Sequence, residues 1–191
     1  MPRLAEAATG QRKLYFVDAA HFVMHALLGY LWCFTRVFIR GASGRQRFNV
    51  LGALDPFTLE VITVTNDTYI NSHSVVLLLQ HLRTRFPDEP LTLVLDNARY
   101  QHCRLVLDLA LSLKIELLFL PPYSPNLNLI ERFWQFVKKE ALHAVYYESF
   151  AHFKAAISAC IDDSQTTHRA ALASLLTLNF QTFDTVNLLC C

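Results

Sequence analysis

The stretch SPNLNLIERFWQFVKKEAL, from Ser124 to Leu142, decides the fold of this 191-residue chain. Ser124 followed by Pro125 predicts an N-cap and a proline at the first helical position. Beyond them, apolar residues recur at helical spacing and indicate one core-facing side. These residues are Ile130, Phe133, Trp134 and Val137. Glu131 starts the opposite, polar face, so the stretch predicts an amphipathic helix with one carboxylate in its first turns.

Two further acids follow apolar runs that are typical of buried strands. Asp18 closes LYFVD and Asp96 closes LTLVLD. Side chains at the carboxyl ends of neighbouring strands meet at one edge of a sheet, so we expect both to lie near Glu131. Three carboxylates held close together repel one another and raise each other's pKa unless cations neutralise them. Oxygen ligands of this kind suit two Mg²⁺ or Mn²⁺ ions, which are typical of phosphodiester chemistry.

The remaining elements follow from periodicity and from turn residues. Listed in chain order, the predictions are a strand at Leu14–Val17, an irregular segment at Ala19–Ile39 with a short strand near Cys33–Ile39, a turn at Gly41–Arg45, strands at Arg47–Leu54 and Leu59–Val64 joined at Asp55–Pro56, a helix at Asn71–Arg85, a strand at Leu91–Leu95, a helix at Gln101–Leu113, a strand at Ile115–Leu120, and helices after Ser124, at Phe150–Ile161 and at Arg169–Leu178. Three antiparallel strands followed by α-β-α-β-α indicate an α/β fold with a mixed sheet flanked by helices.

Composition favours one globular domain. Hydrophobic residues make up 53% and aromatic residues 12% of the chain, which excludes a disordered protein. The formal net charge of +1 excludes a strongly basic nucleic-acid-binding module but leaves local basic patches open. Five cysteines without a CxxC pair indicate thiols in a reducing compartment. The N-terminus has no signal peptide and Phe22–Phe34 is too short to span a bilayer, so we expect a cytoplasmic protein without a membrane partner.

Two blocks of sequence carry a resemblance to a known family. LVLDNARYQH, followed by LLFLPPYSPNLNLIERFWQFVKK, resembles the catalytic core of the DDE transposases of bacterial insertion sequences, the group related to mariner-like elements. The 34 residues between Asp96 and Glu131 match the spacing of that group. FVDAAHFV and RQRFNVLGAL fit the family's first strand and the hairpin after it, although Ala19 stands where many members have Glu.

The resemblance implies a ribonuclease H-like fold in which Asp18, Asp96 and Glu131 bind two Mg²⁺ or Mn²⁺ ions. The implied reaction is metal-dependent hydrolysis at the ends of a mobile element, followed by attack of the freed 3′-hydroxyl on target DNA. The partners implied are DNA and a second copy of the chain, bound as a homodimer on DNA in the nucleoid of a prokaryote.

Domain boundaries follow from the same comparison. We expect a polar leader at 1–13, the catalytic domain at 14–165 and a C-terminal helical tail at 166–191. Such transposases usually carry an N-terminal helix-turn-helix region, for which no room precedes Asp18. The sequence therefore predicts either one product of a split reading frame, working with a separate helix-turn-helix chain, or a truncated copy.

Several polar residues near the three acids are candidates for DNA contact. They are Asn97, His102, Asn128, Arg132, Lys138 and Lys139, with a second basic cluster at Arg40, Arg45 and Arg47. Each also has a structural interpretation, as a turn, cap or solvated surface residue. His21 and His25 have the spacing of a zinc pair, but the absence of HExxH favours a structural role.

Two alternatives to a transposase stay open from the sequence. One is another ribonuclease H-like nuclease, acting on RNA–DNA hybrids or DNA junctions. The other is an inactive transposase remnant that only binds DNA or a partner chain.

Overall fold

The computed structural model describes residues 2–24, 34, 46–121 and 125–179. Its elements, in chain order, are α1 (Pro2–Ala8), β1 (Lys13–Val23), β2 (Arg47–Leu54), β3 (Val61–Asn66), α2 (Ser72–Arg85), β4 (Leu91–Leu95), α3 (Arg104–Ser112), β5 (Ile115–Phe119), a 3₁₀ turn (Pro125–Leu127), α4 (Ile130–Leu142), α5 (Phe150–Asp162), a second 3₁₀ turn (Asp163–Gln165) and α6 (Arg169–Leu175). None of the helices in the described residues is long and apolar enough to cross a membrane.

The five strands form one mixed sheet in the order β3-β2-β1-β4-β5. β1, β2 and β3 pair antiparallel, as the sequence predicted, and β4 and β5 continue the sheet in parallel with β1. All five residues of β4 are buried, which is expected of a parallel strand covered on both faces. The α/β fold predicted from the order of the elements is confirmed.

Alternate residues of β1 enter two separate hydrophobic cores, because successive side chains of a strand point to opposite faces. Leu14 and Phe16 belong to the core that also contains the buried residues of α4 and α5. Tyr15 and Val17 belong to the core formed with α2 and α3. Helices therefore cover both faces of the sheet and leave its ends accessible.

Strand β1 is longer than predicted. Asp18 was expected to close it, but the strand continues to Val23, through residues predicted to be irregular. The extension has a partner, because Ala19 to Val23 pair with β2 while the parallel pairing with β4 stops at Val17 opposite Leu95. Asp18 therefore lies mid-strand, directly after the last residue pair shared with β4.

The predicted start of α4 is also wrong. Ser124 lies outside the described residues, and Pro125 begins a 3₁₀ turn instead of the helix, which starts at Ile130 with Leu129 as N-cap and no side-chain cap. The side chain of Asn128 donates to the carbonyl of Val17 at 3.1 Å and so anchors the preceding loop to β1. The helix begins only after that anchor.

Smaller differences occur at other element ends. α3 begins at Arg104 because residues 98–102 form a separate turn, in which the N–H groups of Gln101 and His102 donate to the carbonyl of Ala98. β3 begins at Val61 because Leu59 has a positive φ of 62° within the preceding turn. The short strand predicted near Cys33–Ile39 and the turn at Gly41–Arg45 fall outside the described residues.

Packing extends beyond the boundaries predicted at residues 13 and 166. In the predicted leader, α1 contributes Ala7 to a core, and Arg3 forms an ion pair with Glu116 at 2.9 Å. In the predicted tail, Leu172 of α6 and Leu176, the residue directly after α6, are buried in the same core as α4. In the described residues, both segments therefore contribute side chains to the core that contains α4.

Candidate active site

Asp18 and Asp96 are brought side by side by strand register. Val17 and Leu95 are the last pair of β1 with β4, and the two acids are the next residue of each strand. Neighbouring strands lie about 4.8 Å apart, so the backbones at the two acids are adjacent. The side chain of Asp18 points away from the core that holds Val17, towards the face covered by α4.

Glu131 reaches the same place because the first turns of α4 are seated closely on the sheet. Gly52 of β2 pairs with Asp18, and the ring of Trp134 lies directly over it. A Cβ atom at position 52 would be 2.6 Å from Cζ2 of Trp134 and 3.2 Å from Cδ1 of Ile130. The absence of a side chain at Gly52 therefore allows the close approach that places Glu131 beside Asp18.

The three carboxylates influence one another electrostatically. Burial raises the pKa of Asp18 to about 7, and the charges of Asp96 and Glu131 add to the increase. The backbone N–H of Ala19 and the ammonium of Lys138 oppose it. Burial, and then the charge of Asp96, also raise the pKa of Glu131. The acids therefore form one cluster whose full ionisation is unfavourable without a compensating cation.

A second observation at this site concerns Asp96. Its Oδ1 atom is buried and has no hydrogen-bond partner among the described residues. A buried oxygen of a carboxylate is costly to leave unpaired, whereas it is an ordinary ligand for a hard cation. The residues present therefore fit a divalent metal. In the described part of the chain, however, no three His, Cys, Asp or Glu side chains are placed so that they could hold a metal ion together.

An open concavity of about 270 Å³ lies over the cluster. Asp18, Glu131 and Lys138 line it, together with His21 of β1. On the other side of the acids, burial and the charges of Asp96 and Asp18 raise the pKa of Tyr100 to about 12, so its hydroxyl stays protonated. The concavity thus combines two carboxylates, Asp18 and Glu131, with the exposed ammonium group of Lys138.

The candidate DNA-contacting residues are distributed around this site. Lys138 lines the concavity, and Lys139 is exposed beside it on α4. Arg132 donates to the carbonyls of Thr177 at 3.0 Å and Asn179 at 3.4 Å, which indicates a structural role at the C-terminal segment. Asn128 is only 2% exposed, and its side chain donates to the carbonyl of Val17, which ties the start of α4 to β1.

Two further candidates follow the second acid. The side-chain amide of Asn97 donates to the carbonyl of Leu120 at 2.7 Å and ties together the loops after β4 and β5. His102 is exposed, with its ring 4.4 Å from that of Phe119. Of the basic residues at 40, 45 and 47, Arg47 lies at the start of β2, and the other two are outside the described residues.

Sequence reasoning missed two residues that shape the site. Gly52 stands alone in an apolar strand, a pattern that signals close approach of another group, and it could have been noticed. Tyr100 gave no signal, because its proximity to Asp18 and Asp96 depends on the turn at 98–102. His21 was assigned a structural role, which its 2.7 Å hydrogen bond with Asn49 supports.

Comparisons with known proteins give a family and a fold. The family model of the DDE superfamily endonucleases matches residues 13–154. Among solved structures, the Mos1 transposase paired-end complex with left transposon end is similar with a TM-score of 0.59 at 14% identity, over 93% of this chain and 59% of the transposase. The Mos1 mariner paired end complex with Mn gives 0.54 at 14% identity, over 95% and 61%.

A retroviral structure gives the same result. The HTLV-2 integrase catalytic core domain in complex with magnesium, in its dimeric form, matches with a TM-score of 0.51 at 11% identity, over 80% of this chain and 86% of the integrase. No curated protein sequence matches. At these identities the likeness establishes the fold, which is that of transposase and integrase catalytic cores. The chain spans about three fifths of the length of the transposases that it matches.

Substitution of Gly52 by Ala tests the seating of α4. The new methyl group overlaps the Trp134 ring, so we expect a loss of roughly 1–3 kcal/mol in the free energy of unfolding, measured by urea denaturation. Trp134→Phe removes the overlapping atoms. The double variant Gly52→Ala/Trp134→Phe should therefore lose less stability than the sum of the losses measured for the two single variants. Strict additivity would contradict direct contact between the two sites.

The raised pKa of Asp18 predicts a pH-dependent stability in EDTA. Because the folded protein holds the Asp18 proton more tightly than the unfolded chain, the wild type loses stability as the pH rises from about 4 to about 7. Asp18→Asn removes this loss and should be more stable than the wild type by roughly 1–4 kcal/mol at pH 8, with the difference vanishing near pH 4. Asp108→Asn, at an exposed position, serves as control; a difference independent of pH would contradict the prediction.

Proposed function

The chain belongs to the DDE superfamily endonucleases, and from this premise we propose that it is the catalytic domain of a transposase that cuts DNA and joins the cut ends to new DNA. Asp18, Asp96 and Glu131 are proposed to hold two Mg²⁺ or Mn²⁺ ions. We propose that the catalytic domain comprises residues 2–179, since α1 and α6 pack into the same core as α4.

One observation carries the proposal: three acids from three separate elements share a single electrostatic cluster at the open end of the sheet. Burial and the charges of neighbouring acids destabilise the charged forms of Asp18 and Glu131, and the Oδ1 atom of Asp96 is buried without a partner among the described residues. Such a cluster reduces the stability of the isolated protein unless cations neutralise it. A structural role therefore does not account for it, whereas a metal site does.

The residues around the acids serve the proposed reaction in distinct ways. Bound divalent ions would activate the attacking oxygen and stabilise the leaving oxygen at phosphorus. Asn128 and Trp134 hold α4 in place, so that Glu131 keeps its position relative to Asp18 and Asp96. Lys138, exposed in the same concavity, offers its ammonium group to a DNA phosphate.

The proposed partners follow from the similar structures. The Mos1 structures contain a paired-end complex and a strand transfer complex, and the integrase core is described in a dimeric form. We accordingly propose that this domain binds DNA and acts on it as a homodimer. We also propose that it works in the prokaryotic cytoplasm, at the nucleoid. We propose that a helix-turn-helix region outside residues 2–179 recognises the ends of the element.

Nicking of supercoiled plasmid DNA tests the proposed activity. The wild-type protein should nick DNA with Mg²⁺ or Mn²⁺ but not with EDTA, because phosphodiester cleavage requires the bound ions. Asp96→Ala and Glu131→Ala should each lower the nicking rate by at least about 100-fold, since each removes a ligand of the metals. The measurement is the rate of conversion of supercoiled into open-circular plasmid.

Asp108→Ala is the matched control, because it removes an exposed carboxylate on α3, outside the cluster. It should nick DNA at the wild-type rate. Activity that survives both Asp96→Ala and Glu131→Ala would overturn the proposal. Faster cleavage of RNA–DNA hybrids or four-way junctions than of linear duplex would assign the same site to a different nuclease.

A further inference from the structure

A second groove lies on the same end of the sheet as the carboxylate cluster, beyond the outer ends of β2 and β3. Its volume is about 660 Å³, within the range of small-ligand sites. Arg47, Thr68 and Tyr69 line it, together with Phe150 of α5. Tyr69 is 74% exposed, so its ring offers a free aromatic face rather than core packing.

The charges of this groove favour an anionic ligand. Asp67, also in its wall, is neutralised by an ion pair of 2.8 Å with Lys154 of α5. Arg47 is exposed, and its guanidinium forms no hydrogen bond or ion pair with any described residue. An unpaired guanidinium next to an exposed aromatic ring is the combination that binds the phosphate and the base of a nucleotide in single-stranded DNA.

The loop that carries Tyr69 is fixed by two asparagine side chains. Asn66 donates to the carbonyl of Tyr69 at 2.8 Å and accepts from the N–H of Thr68 at 3.1 Å. Asn49, which is 1% exposed, donates to the carbonyl of Thr68 at 2.9 Å and to Oδ1 of Asn66 at 3.2 Å. Tyr69 is therefore presented to solvent on a rigid support, which lowers the entropy cost of stacking.

The same network leads to the carboxylate cluster. Because Nδ2 of Asn49 donates to a backbone carbonyl, its Oδ1 must accept, and the Nδ1–H of His21 donates to it at 2.7 Å. His21 lines the concavity of Asp18 and Glu131. A continuous chain of hydrogen bonds across β1, β2 and β3 thus connects the groove with the concavity.

The distance between the two sites suits a DNA strand. Arg47 pairs with Val23, five residues beyond Asp18 on β1, which corresponds to about 16 Å along a strand. At a rise of about 3.4 Å per nucleotide, this separates the sites by about five nucleotides. A strand that enters the concavity can therefore reach the groove without bending sharply.

We propose that this groove binds an unstacked nucleotide of the DNA strand that passes through the carboxylate site, with Tyr69 stacked on the base and Arg47 paired with its phosphate. The inference rests on the proposed function, since it names a DNA-binding subsite of that activity. The hydrogen bonds that connect His21 with Tyr69 through Asn49 and Asn66 then keep the groove at a fixed position relative to the acids.

Binding of a fluorescein-labelled single-stranded dT oligonucleotide in EDTA tests the proposal without any catalysis. Tyr69→Ala should weaken binding about tenfold or more, because stacking of one base on an aromatic ring is lost. Tyr69→Phe keeps the ring and should bind within about twofold of the wild type. Tyr146→Ala, which removes an exposed tyrosine from the loop after α4, is the matched control and should have no effect.

Photocrosslinking locates the contact independently. An oligonucleotide with one 5-iodouracil, moved stepwise along the strand, should crosslink to Tyr69 at one or two positions, as identified by mass spectrometry. The proposed nucleotide subsite would be contradicted by crosslinks confined to other residues, by unaltered binding of the oligonucleotide to Tyr69→Ala, or by equal losses of affinity in Tyr69→Ala and Tyr146→Ala. Metal-dependent nicking that persists in those cases would leave the proposed activity standing, whereas a wild-type protein that neither binds nor nicks DNA would overturn both.

Discussion

The packing of the first turns of α4 on β1 and β2 is the constraint on which the candidate site depends. Asn128 donates to the carbonyl of Val17 and Trp134 lies over Gly52, so the helix is attached to β1, which carries Asp18, and to its neighbour β2. Glu131 lies between these two attachments. Because close-packed cores transmit small displacements, a change at Gly52 or Asn128 moves the helical turn that carries the Glu131 carboxylate.

The rest of the fold offsets the loss of folding stability that the buried acids cause. Burial raises the pKa of Asp18 and Glu131, which means that their ionised forms destabilise the metal-free protein at neutral pH. Two hydrophobic cores, one on each face of the sheet, offset that cost. The acids lie where β4 ends and β1 continues with only β2 beside it, so the site opens to solvent without interrupting either core.

Much of this fold is encoded locally. β2 and β4 have the predicted bounds because their apolar runs are short and end at turn residues, and α2 follows Asn71, which caps it as a polar side chain should. The failures are non-local. β1 extends past Asp18 because β2 provides a partner, and α4 begins late because Asn128 bonds to β1. The sequence also predicted that the three acids would meet, and they share one cluster, while their role as metal ligands stays a prediction.

Asp18, Asp96 and Glu131 are proposed to form one metal site together. Crystals of the protein equilibrated with Mn²⁺, with data collected at a wavelength where manganese scatters anomalously, test it directly. We expect two anomalous peaks about 3.5–4 Å apart within coordination distance of the three carboxylates, and none there in Glu131→Gln crystals treated in the same way. Peaks that occur only elsewhere, or that persist beside the acids unchanged in Glu131→Gln, would contradict the claim.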